Sequence, residues 1–155
     1  MWRKWLRGPG PVLVTTALGG GLGAAARYGA ELLWPTAPGA FPWATLGINA
    51  VGCAMIGVLM VVVSSQAWAP HRLVRPFFGT GVLGGFTTFS AYVGDIRRLV
   101  DQGRATAGLA YLALMLVVSL AAVWSASAVT RHLNARRRER HRLASHEPGD
   151  EGLLT

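Results

Sequence analysis

The stretch Gly84-Gly85-Phe86-Thr87-Thr88-Phe89-Ser90-Ala91-Tyr92 gathers the residues of this chain best suited to handle an ion without ionising themselves. Two glycines followed by two threonines are poor helix formers. Inside an apolar segment, irregular backbone is tolerated only where protein or a water-filled cavity satisfies it. A helix broken there frees carbonyl oxygens, and hard cations prefer oxygen ligands. The competing reading is a kinked helix packed tightly on a neighbour. Phe89 and Tyr92 are three apart and share a face if the helix resumes. An aromatic ring has a positive edge, so two edges turned into a narrow pore could coordinate a small anion without a formal counter-charge. Ordinary lipid-facing or interhelical packing explains the same pair.

Other polar residues inside apolar segments extend the set. Asn49 offers two amide donors, which suit an anion, and one acceptor. Asn49, Cys53 and Gly57 recur at four-residue spacing and form one small, polar face. That face lines a pore, or Asn49 makes a hydrogen bond that only holds helices together. Tyr111 and Ser119 are eight apart on roughly one face, with Ser125 and Ser127 beyond. Such hydroxyls can hand an anion along, or bond back to their own helix carbonyls. Arg27 is the only basic residue more than a turn inside a span. It stands about six residues from the span's end, ~9 Å at the helical rise, within snorkelling reach of the headgroups. A vestibule or anchoring role fits it, with Glu31 one turn away as its partner. No nucleophile-base-acid set exists, the four histidines lack metal-ligand spacing, and the spans hold no carboxylate pair. The chain is not read as an enzyme.

Positioning these groups requires helices in a membrane. Of the 155 residues 52% are hydrophobic and only 14% charged, against roughly 25% charged in globular chains. A bilayer core of ~30 Å needs about 20 mostly apolar residues in helix. Four stretches meet that demand, at about 12–33, 43–64, 73–100 and 105–129. They are expected to form one transmembrane domain over 12–129, between a basic segment 1–11 and a polar basic tail 130–155, unstructured or a frayed helix. Arg3, Lys4 and Arg7 ahead of an apolar run resemble a signal peptide, but the run is long and contains Arg27. The cluster Gly19, Gly20, Gly21 and Gly23 suits close backbone approach in lipid. Trp34, Pro35, Pro38 and Gly39 end the first span, and Trp34 and Trp43 sit where interfacial aromatics belong. A basic loop holds Trp68, Pro70, His71, Arg72 and Arg75. The net charge of +8 clusters outside the apolar spans without a basic stripe of stacking aromatics, so nucleic-acid binding is not expected. Cys53, the only cysteine, reads as a small packing residue. Four short helices cannot easily enclose a pore, which points to an oligomer.

The motifs fall into the order and spacing of one family. Gly19 to Tyr28, Thr45 to Gly52 continuing to Gly57, and Gly84 to Phe89 with Ser90 resemble the first-, second- and third-helix motifs of the Fluc (CrcB) fluoride channels. The likeness covers roughly 18–127. It implies an all-α membrane protein of four transmembrane helices, the third broken at its centre, assembled as an antiparallel dimer with two narrow fluoride pathways. It implies passive export of fluoride, which enters acidified cells as neutral HF and is trapped on ionising. A structural sodium ion would sit at the centre on the carbonyls of Gly84 and Thr87 from each subunit. Asn49, Phe89, Ser90, Tyr92, Tyr111 and Ser119 would line the fluoride pathway. Two departures stand out: Tyr92 replaces a usual phenylalanine, and Met115 and Val123 flank Ser119 where hydroxyls are expected.

Two rivals compete. A small four-helix drug or cation transporter would want a membrane-embedded carboxylate, and Glu31 lies near a span end. A non-conducting assembly partner would leave the Gly-Gly-Phe-Thr-Thr-Phe-Ser stretch unexplained. Four spans place both termini on one side. Eleven of the 15 Lys and Arg fall there: Arg3, Lys4, Arg7, Arg72, Arg75, Arg131, Arg136, Arg137, Arg138, Arg140 and Arg142. Only Arg97, Arg98 and Arg104, with Arg27 nearby, fall opposite. The positive-inside rule then predicts one fixed orientation in the cell inner (plasma) membrane, both termini cytoplasmic. An antiparallel dimer of such a chain needs an oppositely biased partner, which points to a heterodimer in contact with membrane lipid.

Overall fold

The computed structural model describes residues 8–37, 39–64 and 72–144. Arg3, Lys4, Arg7, Pro38, Trp68, Pro70 and His71 lie outside them, as do the side chain of Arg142 and the chain from residue 145. Every element among the described residues is helical. Helix α1 spans Gly10–Leu33. Proline at its start costs nothing, because the first amides have no intrahelical acceptor. It stops one residue before Trp34, ahead of Pro35, since the residue before a proline is biased away from the helical region. Helix α2 spans Trp43–Ser64. A wide π-helical segment, Pro76–Leu83, runs into a single α-turn, α3, Gly84–Phe86. Helix α4 spans Phe89–Asp101 and α5 spans Ala105–Ala144.

The helices pair in two layers, α1 against the π segment and α3, and α2 against α5, with α4 also on α5. Glycines set the first contact. A Cβ at Gly19 would stand 2.5 Å from the Phe77 carbonyl oxygen, and one at Gly81 would stand 2.9 Å from the Gly19 Cα. Gly23 is closed off in the same way by the Val82 carbonyl, and Gly85 by the Gly20 carbonyl. Backbone thus lies on backbone, which is how helices associate where lipid removes the hydrophobic drive. Gly23→Leu must push backbone apart, so we expect a loss of at least about 1–3 kcal/mol. The readout is the yield of monodisperse protein after detergent extraction. Gly21→Leu is the control, because nothing lies within 4 Å of a Cβ there.

The outer surface is apolar. Leu18, Leu22, Leu109, Leu116 and Trp124 are all exposed, and exposed apolar patches of this extent do not occur on water-facing monomers. Helices α2 and α5 are each long and apolar enough to cross a membrane. The glycines of α1 lower its hydropathy, and the third stretch is divided into pieces shorter than a span.

Of the two readings of the polar segment after residue 129, the helical one describes its first part: α5 continues without interruption to Ala144. Alanine, arginine and leucine between 131 and 144 are all strong helix formers, so the helix outlasts its apolar stretch.

Candidate functional site

The chain between α3 and α4 leaves helical geometry at two residues. Thr87 has φ −75°, ψ 151° and Thr88 has φ −142°, ψ 122°. In a continuous helix the Thr88 amide would donate to the Gly84 carbonyl. Here it donates instead to Asn49 Oδ1 at 2.8 Å. Asn49 Nδ2 returns the bond to the Thr88 carbonyl at 3.1 Å, so one side-chain amide pairs both backbone groups of the extended residue. The second contact of Asn49 Nδ2 is Met115 Sδ on α5, at 3.7 Å. Asn49 is buried, and its donors and acceptor are all engaged at the interruption. Gly52, one turn on, makes room: a Cβ there would overlap the Thr87 methyl and stand 3.2 Å from the Phe86 ring.

Thr88 then caps α4. Its hydroxyl accepts from the Ala91 amide at 3.1 Å and lies 3.2 Å from the Ser90 hydroxyl. The Thr87 hydroxyl bonds back to the Leu83 carbonyl at 3.0 Å. Gly84 is exposed, with open space where a Cβ would be. The amides that a continuous helix would aim at its carbonyl and at that of Thr87, those of Thr88 and Ala91, donate to side chains instead. Among the described residues no cluster of His, Cys, Asp or Glu could hold a metal, so a cation here would rest on backbone oxygen.

Aromatic rings extend from the interruption in a row. Phe89 is 77% exposed, and its ring centroid lies 5.7 Å from that of Tyr92. Tyr92 lies 5.5 Å from Tyr111, which meets Phe41 edge-on at 5.2 Å. The Tyr92 hydroxyl donates to the Leu112 carbonyl at 3.2 Å. The extra oxygen that distinguishes it from phenylalanine is therefore anchored on α5.

Tyr111 is fully buried. Its hydroxyl donates to Asp95 Oδ2 at 3.4 Å, while Arg98 holds Asp95 Oδ1 at 2.8 Å. Sequence reasoning gave neither Asp95 nor Arg98 a part in the site. The available signal was the run Tyr92, Asp95, Leu99, which shares one helical face with Tyr92. Tyr111→Phe leaves the carboxylate to Arg98, so we expect a modest loss of about 1 kcal/mol, read as a small drop in thermal midpoint in detergent with the fold retained.

The remaining predicted residues are only partly brought together. Ser119 is half-buried on α5, and the buried Met115, held by Asn49, stands between it and Tyr111. The face Asn49, Cys53, Gly57 meets the interruption at one end and α5 at the other, where the Ser127 hydroxyl donates to the Gly57 carbonyl at 3.2 Å. Arg27 pairs with Glu31 at 2.8 Å, as their spacing suggested. Among the described residues the pair shares no hydrogen bond with the interruption, and the buried Arg27 Nε has no partner. At the α1–α2 turn, Arg104 Nη1 donates to the Gly39 carbonyl at 2.7 Å, which joins that turn and the α4–α5 turn at one end of the bundle.

The sequence is similar to those of known proteins. The family described as CrcB-like protein, Camphor Resistance (CrcB), matches residues 14–127. Fluoride-specific ion channel FluC 1 of Streptomyces coelicolor is 59% identical over 131 residues, 84% of each chain. Fluoride-specific ion channel FluC 2 of Streptomyces avermitilis is 60% identical over 114 residues, 74% of this chain and 72% of the relative. FluC 3 of the same organism is 40% identical over 126 residues, 81% of this chain and 61% of the relative.

Proposed function

Because the chain belongs to the CrcB-like family, we propose that it is a fluoride-selective ion channel of the cell membrane that lets fluoride leave the cytoplasm passively. The observation that carries the reading is the interruption at Thr87 and Thr88, held open by Asn49 beside the exposed Phe89. A helix kinked only for packing would not need a buried amide to pair both backbone groups of one residue. Curated relatives more than half identical are named fluoride channels. In this reading the four spans form the subunit. The broken third span lies at the centre of an antiparallel dimer, and Phe89, Ser90, Tyr92, Tyr111 and Ser119 border the fluoride pathway. Asn49 shapes that pathway by holding Thr88.

The carbonyls of Gly84 and Thr87 fit a sodium ion: the first has lost its usual donor to Asn49, and the second sits on extended backbone. One chain supplies only two such oxygens, so a second subunit completes the site. When bound, the ion supplies fixed positive charge near the anion path.

The subunit is proposed to have a fixed orientation with both termini cytoplasmic, in a heterodimer with an oppositely oriented homologue. Two observations support this. Arg75 lines a hollow against Leu59 and Val63 near the end of α2, and Arg131 lines another with Ser64, so both basic groups share that end of the bundle. Also, one organism holds relatives numbered 2 and 3. Fluoride efflux from liposomes, read with a fluoride electrode, tests both levels. The chain alone is expected to give background flux, and addition of a homologue of opposite charge bias is expected to raise it well above background. Robust flux from the chain alone ends the obligate-heterodimer idea, and no flux in either case ends the channel reading.

A further inference from the structure

We propose that the end of α2 and the basic continuation of α5 form a docking cleft for the phosphate headgroup of an anionic phospholipid, in the leaflet nearest the chain termini. A cleft of about 450 Å³ lies between them, lined among others by Met60, Ser64, Ser127, Arg131, Asn134 and Arg138. Arg131, Asn134 and Arg138 follow one another at helical spacings of three and four, so they face the cleft together. The Ser64 and Ser127 hydroxyls donate to the Met60 and Gly57 carbonyls. Recognition therefore falls on the two guanidinium groups and the Asn134 amide. Neither Arg131 nor Arg138 makes an ion pair among the described residues. The planar guanidinium fork matches a phosphate with two parallel hydrogen bonds.

A lipid fits better than a soluble anion, because the cleft is continuous with apolar surface. Arg131 and Ser127 also border a second hollow, walled by Leu120, Val123 and Trp124. Trp124 is 72% exposed, in the position of an interfacial aromatic. A headgroup on the arginines can thus lay its acyl chain against α5. Arg136, Arg137 and Arg140 lie on other faces of the helix and add longer-range attraction to an anionic leaflet. The family match ends at residue 127, before the first of the cleft's arginines.

The test uses the purified full chain in neutral detergent, titrated with phosphatidylglycerol, phosphatidylcholine or inorganic phosphate. Native mass spectrometry reads the bound adducts. Phosphatidylglycerol is expected to bind with clear preference over both of the others. The double variant Arg131→Gln/Arg138→Gln is expected to lose affinity for it on the order of tenfold. Arg136→Gln/Arg137→Gln removes the same charge from other faces and is expected to lose less than about twofold. Both variants should elute like the parent, which separates binding from folding. Equal losses in the two variants would show a diffuse charge effect and overturn the cleft. Equal binding of phosphatidylcholine, or of inorganic phosphate, overturns the anionic-lipid assignment.

Discussion

Asn49→Asp is expected to reduce fluoride flux on the order of a hundredfold, equivalent to about 3 kcal/mol of barrier, while the protein still assembles. The aspartate keeps an oxygen where Asn49 Oδ1 accepts the Thr88 amide at 2.8 Å. It replaces the donor that reaches the Thr88 carbonyl at 3.1 Å with a second oxygen. Two acceptors then face each other at the interruption, and a negative charge stands beside a path meant for an anion. Asn49→Leu goes further. It strands both backbone groups of the half-buried Thr88, at about 1–3 kcal/mol for each group left unpaired. That variant should lose extractable, monodisperse protein as well as flux. Comparing the pair separates the two roles of the amide. If the aspartate variant conducts at the parental rate, the Thr88 carbonyl does not need its donor and the side chain does not shape the pathway.

The interruption could be foreseen from Gly84, Gly85, Thr87 and Thr88, because poor helix formers packed together announce themselves locally. Its partner could not. Asn49 lies 39 residues away, and nothing in its own neighbourhood states which backbone groups its amide meets. The same holds for Gly52, which closes the second-helix motif without announcing that Thr87 would fill the space beside it. Asp95 could not be singled out either, because its burial on Tyr111 depends on how α4 crosses α5. The continuation of α5 stood open between helix and unstructured chain, because hydropathy falls sharply after Val129 but helix propensity does not. Propensity decided the backbone. Charge, by contrast, is legible at once, because the arginines of α5 lie outside any apolar stretch.

Phe89→Ile is expected to abolish measurable fluoride flux while leaving the fold and assembly intact. The argument begins with exposure. Phe89 is 77% exposed, whereas its neighbours on the same row are held in place: Tyr92 by the Leu112 carbonyl and Tyr111 by Asp95. Removing an outward ring that stands 5.7 Å from Tyr92 should change stability by no more than about 1 kcal/mol. Isoleucine keeps the side chain apolar and bulky. What it lacks is the positive ring edge, the one feature by which this position can attract an anion without a charge. A large functional loss with a small structural one is therefore the signature of an edge-on aromatic site. Phe78→Ile provides the comparison. Phe78 is also exposed, at 46%, and pairs edge-on with Phe77, but it lies on the π segment away from the interruption. Its replacement should leave flux unchanged. Liposome efflux of both variants, each reconstituted with whatever partner the parent needs, makes the comparison quantitative. Parental flux from Phe89→Ile, or equal losses from both variants, would remove the aromatic row from the pathway and leave the Asn49-held interruption as a structural joint.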